Sequence, residues 1–179
     1  MPMKLLALLL AVAVPVLAAA PASAADIATL GCVDQQLPAT LRASLAADVQ
    51  RQMGDGTFTF DPALNPPLVA VLRGCQRTYG WSEVATQAAG VYLRASIGLP
   101  LVITAMRGLG VDTDKVMAIY RDLPQSIREK RLDQATMRQL MDAVVDTGMI
   151  KDVDQAKLLG RMIAYANLIE MSRHDFAAG

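Results

Sequence analysis

The sequence predicts an all-α fold: a single compact bundle of six or seven short helices behind a cleaved N-terminal signal peptide. Three observations predict it. Apolar residues recur at three- and four-residue intervals in successive windows. Those windows open on capping residues and close on Gly or Pro. No window carries a convincing strand pattern, and the connections are short, as in helix bundles.

Residues 1–24 stand apart. A short start carrying Lys4 leads into an apolar run over 5–20, broken only by Pro15, and Ala22, Ser23 and Ala24 have the small-residue spacing of a cleavage site. Cleavage is expected between Ala24 and Ala25. The uncharged run is short for an uncleaved anchor. Cys32 lies beyond Asp26, too far from the run's edge to be an acylated cysteine. This segment distorts the overall averages of 53% apolar and zero net charge. The remaining 155 residues are 49% apolar, with 16 basic and 17 acidic residues and a net charge of −1. That is an ordinary globular composition of single-domain length. Near-neutrality argues against nucleic-acid partners and anionic membranes, which need a strong positive field. The longest uncharged apolar stretch after residue 24 is 95–106, too short for a membrane span.

Each element follows from local signals. Pro38 suits a first helical turn, and Leu37, Leu41, Leu45, Val49 and Met53 recur every four residues until Gly54. Residues 54–67 hold three Pro, two Gly and two Asp, so an irregular loop is expected there, with Phe58 and Phe60 laid on the core from a short extended piece. A second helix starts near Pro66 or Pro67 and places Leu68, Val71, Leu72 and Cys75 on one face, ending near Gly80. Ser82 and Glu83 open a third through Ala95, with a break near Gly98 favoured because Pro100 cannot donate to the preceding turn. Asp112 caps the next helix, with Val116, Ile119, Tyr120 and Leu123 inward, and Pro124 ends it and begins a short turn. Asp133 caps a helix running to Gly148, and Asp152 or Asp154 caps the last, whose tail from about residue 173 is expected to fray.

Cys32 and Cys75 are the only cysteines, so one disulfide is expected if the chain is exported, in the periplasm or outside the cell. Neither Cys-x-x-Cys nor a neighbouring His marks a redox-active pair.

Catalytic constellations are mostly missing. His174 is the only histidine, which speaks against a zinc or haem site; no cofactor or metal is expected. Serine-nucleophile and phosphate-loop motifs do not occur. Asp112 with Asp114, and Asp152 with Asp154, read as helix caps, not calcium ligands. Glu83 beside Trp81 reads as a first-turn acid before a catalytic one. Met137, Met141 and Met162 offer three soft sulfurs that could meet on copper(I), but all lie on apolar faces where Met is a common core filler.

The best candidate contact patch is Arg73, Arg77, Tyr79 and Trp81, since Arg with aromatic neighbours is typical of interface hot spots, although Trp81 also suits the core. The reading leans away from an enzyme. It points to an exported helical protein that binds another protein or envelope component. The alternatives are a carrier, with an apolar cavity lined by the faces between Val84 and Met106, and an envelope-polysaccharide enzyme using facing carboxylates.

Overall fold

The computed structural model describes residues 24–57 and 59–179; the expected signal peptide up to Ser23, and Phe58, lie outside the described residues. The described residues contain eight α-helices, two 3-10 turns and no strand. In chain order the helices are α1 (Cys32–Gln36), α2 (Ala39–Asp55), α3 (Asn65–Tyr79), α4 (Glu83–Gly108), α5 (Thr113–Arg121), α6 (Gln125–Arg128), α7 (Gln134–Val145) and α8 (Val153–Ala178). The count exceeds six or seven because α1 and α6 are single short turns. Not all are short: α4 and α8 each run for 26 residues.

The capping signals form as expected. Ser82, Asp112, Asp133 and Asp152 each accept a backbone N–H from the first turn of α4, α5, α7 and α8. At the other end α2 continues past Gly54 and stops at Gly56, whose φ of 74° is a left-handed conformation that glycine adopts without strain. The irregular loop is therefore shorter than the expected 54–67. Its described residues outside any helix are 56, 57 and 59–61, followed by a 3-10 turn at Pro62–Leu64 and by α3, which takes Pro66 and Pro67 in its first turn. Phe60 does not enter the core; its ring lies 4.8 Å beneath the Arg94 guanidinium.

Helices α4 and α8 form an antiparallel spine. Gly179 lies against Val84, Gly98 against Tyr165, and Gln155 donates to the Leu109 carbonyl at the opposite end. One apolar cluster joins the N-terminal half of α4 and the end of α8 to α1, α2 and α3. The other joins the C-terminal half of α4 and the start of α8 to α5 and α7. By length and composition α4 is also the one described helix that could cross a membrane. Its fully buried Ala85, Ala89, Leu93, Val102 and Met106 lie within these two clusters, which gives it the place of a central helix.

Two expectations are corrected by this packing. The helix does not break near Gly98: α4 passes straight through Pro100, which sits on the exposed outer face. A proline inside a helix costs about 3 kcal/mol, and burial of α4 along α8 offsets it. Gly98 has a different purpose from a stop signal. A Cβ there would stand 2.6 Å from Cζ of Tyr165, so only glycine lets the two backbones approach this closely. Gly98→Ala is expected to lower stability by roughly 1–3 kcal/mol through overpacking, read as a shift of the urea midpoint; an unchanged midpoint would show that Tyr165 moves aside freely. Nor does the tail fray. Helix α8 continues to Ala178 because Phe176 is fully buried beside Trp81.

Candidate functional site

The cysteines meet as expected: Cys32 and Cys75 form a disulfide that ties α1 to α3 inside the first apolar cluster. The proposed contact patch just beyond α3 is split. Trp81 is 5% exposed, donates from Nε1 to Thr29 Oγ1 at 2.9 Å, and packs edge-on against Phe176 at 4.9 Å. It belongs to the core. Tyr79, 49% exposed, stacks on it from outside, and Arg77 is exposed. Arg73 is engaged bidentately by Glu83, at 2.6 and 3.0 Å. Arg73 also holds the Glu83 carboxyl below the usual carboxylate range, the opposite of what a catalytic acid needs.

The acids singled out at helix starts act locally. Asp112 and Asp152 cap, Asp114 pairs with Arg107 at 3.0 Å, and Asp154 pairs with Lys157 at 3.0 Å. Among the described residues no group of three His, Cys, Asp or Glu could hold a metal ion. The three methionines share the second apolar cluster, where the expected core packing accounts for them. Met162 is fully buried in the second cluster, whereas Met137 and Met141 are half-buried on its margin.

A groove of about 830 Å3 lies between the end of α2, the last turns of α4, the start of α7 and the first half of α8. Its origin is a shortage of side-chain volume. Ala156, Gly160 and Ala164 recur once per turn along α8, and Gly54, Gly56 and Ala105 complete the lining. Met53, Met137 and Leu158 add apolar walls; Asp55, Asp154, Lys157 and Arg161 are its charged groups. The volume lies in the range of small-molecule sites. The α4 faces between Val84 and Met106, where a cavity was expected, reach this groove only at Ala105. Their Val84, Gln87, Ala88 and Val91 instead line a separate concavity of about 560 Å3 with Asp175, Ala178 and Gly179 at the end of α8.

Arg161 links the groove to a buried polar cluster. It is 4% exposed, and Nη2 donates to the carbonyls of Gln52 and Thr57, both at 2.7 Å, which pins the end of α2 and the following loop to α8. Beside it lies buried Asp48, which accepts from Arg51, from Gln52 Nε2 at 2.8 Å and from the Asp61 N–H at 3.3 Å. Side chains bond backbone groups of the described loop residues: Arg161 donates to the Thr57 carbonyl, Arg51 to the Thr59 carbonyl, and Asp48 accepts the Asp61 N–H. Burial pushes the Tyr165 phenol up and the Arg94 guanidinium down from their ordinary values.

Two carboxylates, Asp55 and Asp154, line the groove, and a polysaccharide-cleaving enzyme would need one of them as a proton donor. Asp55 accepts from the Thr57 hydroxyl at 2.7 Å and N–H at 2.9 Å and pairs with Arg51. These bonds hold it below the usual carboxylate range, again the wrong direction for a proton donor.

Sequence reading missed Asp48, Gln52, Arg161 and Asn167. A signal existed. Gln52 and Asn167 continue the apolar spacing from Val49 and Ile163, so a polar residue sits where the stripe calls for an apolar one. Asn167 uses the position to bracket the α6–α7 connection, donating to the carbonyls of Arg128 and Lys130 and accepting from the Leu132 N–H.

Comparison with protein families, with curated proteins and with solved structures finds no match for this chain.

Proposed function

We propose that the chain is an exported, non-catalytic binding protein of the periplasm or the extracellular space, and that it carries a small apolar molecule in the groove between α2, α7 and α8. The observation that carries this reading is the groove itself: about 830 Å3, open to solvent, with apolar walls and few charged groups. Export is supported by the N-terminal pattern and by the Cys32–Cys75 disulfide, which favours an oxidising compartment. Of the two non-catalytic readings, a partner-protein surface keeps Arg77 and Tyr79 but loses Trp81 to the core and Arg73 to Glu83, while the carrier gains a concavity.

The test uses the neutral apolar dye N-phenyl-1-naphthylamine on natively purified, delipidated protein. Wild type should bind and enhance its fluorescence. Gly160→Leu should weaken binding at least roughly tenfold, since filling a site removes several buried methylene contacts. A Cβ at Gly160 meets only Met141 Sδ, at 4.0 Å, so the variant should fold. Native mass spectrometry of the undelipidated protein should show an added small mass. Equal dye binding by the two proteins, or none by wild type, refutes the proposal.

A further inference from the structure

We infer that Met53 and Met137 are oxidation sites that control occupancy of the groove: as thioethers they admit an apolar ligand, and as sulfoxides they exclude it. The inference rests on the groove being a ligand site. Its floor is alanine and glycine, so the bulk of its apolar walls comes from Met53 on α2, Met137 on α7 and Leu158 on α8. Two of these three are thioethers. A thioether is an apolar group that a mild oxidant converts in place to a polar one, a route closed to leucine. Access separates the methionines further. Met106 and Met162 are fully buried, whereas Met53 and Met137 are half-buried on the groove surface, within reach of a small oxidant. Cys32 and Cys75 are bridged, so no thiol competes for it.

With hydrogen peroxide as the oxidant the step is a two-electron oxygen transfer. A sulfur lone pair forms the S–O bond as the peroxide O–O bond breaks. The departing hydroxide takes up the proton of the transferred oxygen and leaves as water. Each sulfur is oxidised and one peroxide is reduced. While the groove is empty, water solvates the new oxygen. An apolar ligand strips that water and leaves the acceptor unpaired, so the cost falls on binding and not on the fold. The same geometry works in reverse: a ligand lying against the two sulfurs keeps the oxidant away from them.

Wild type, Met53→Leu/Met137→Leu and a control, Met117→Leu/Met149→Leu/Met171→Leu, are each titrated with N-phenyl-1-naphthylamine before and after hydrogen peroxide, at a dose that leaves circular dichroism unchanged. Leucine for methionine nearly conserves volume, so the variants should fold. Each protein is compared with itself, which cancels any effect of leucine alone. Peroxide should weaken dye binding at least roughly tenfold in wild type and in the control. Mass spectrometry should find one added oxygen at each of Met53 and Met137. In Met53→Leu/Met137→Leu the affinity should be the same before and after peroxide. In wild type, bound dye should slow oxidation of Met53 and Met137 and not of Met117 or Met171. Undiminished binding by wild type oxidised at both residues overturns the oxidation inference while the groove reading stands. So does a loss of equal size in Met53→Leu/Met137→Leu, or modification of Met117 and Met171 with neither groove residue touched. No dye binding by unoxidised wild type, or bound dye that shields neither residue, overturns the groove reading as well.

Discussion

Replacing Phe176 by alanine will lower the free energy of unfolding by about 3–5 kcal/mol. The ring is fully buried near the end of α8 and packs edge-on against Trp81 at 4.9 Å, so truncation leaves a cavity in the first apolar cluster and removes an aromatic contact. Urea unfolding measures the loss. Trp81, the only tryptophan, supplies a local readout: its emission should shift to the red in the folded variant as water reaches the vacated space. Deleting residues 173–179 should be at least as damaging. A frayed tail would make both changes nearly neutral, so a midpoint within experimental error of wild type would show that the end of α8 is not docked.

Removing the disulfide has an effect of similar size. Cys32 and Cys75 close a loop of 43 residues, and the chain-entropy relation assigns about 4 kcal/mol to a loop of that length. The double variant Cys32→Ala/Cys75→Ala, or the reduced wild type, should unfold at correspondingly lower urea. The loss should be uneven. The bridge lies in the cluster that joins α1, α2 and α3 to the first half of α4, whereas the second cluster around α5, α7 and the start of α8 does not contain it. Amide hydrogen exchange should therefore accelerate first in α1 and α3 on reduction. Identical midpoints with and without reductant would mean that the two sulfurs stabilise nothing.

Much of the secondary structure is legible because its causes are local. Asp112, Asp133 and Asp152 each supply an acceptor within three residues of the N–H they satisfy, and Leu41, Leu45 and Val49 declare a helix face by spacing alone. Pro38, Pro66 and Pro67 mark helix starts by the φ they impose. A candidate site is harder to see, since the residues that shape the groove are alanines and glycines, which carry no chemistry in a sequence scan. Ala156, Gly160 and Ala164 acquire meaning only when the end of α2 and the start of α7 stand opposite them. Arg161 is similar. Within α8 it interrupts an apolar face, and its role depends on the carbonyls of Gln52 in α2 and Thr57 just after it, about a hundred residues away in sequence.

The sequence by itself determined the helical class, the helix starts and the pairing of the cysteines, because capping, spacing and an even count of two need no knowledge of the rest of the chain. Tertiary structure alone decided that α4 runs through Pro100, that Gly98 is a point of contact and not a stop, that Trp81 is core, and that the last turns of α8 are ordered. The physical reason is common to all four. Local propensities are worth a few kcal/mol at most, and burial of α4 against α8, with Tyr165 over Gly98 and Phe176 under Trp81, outweighs them.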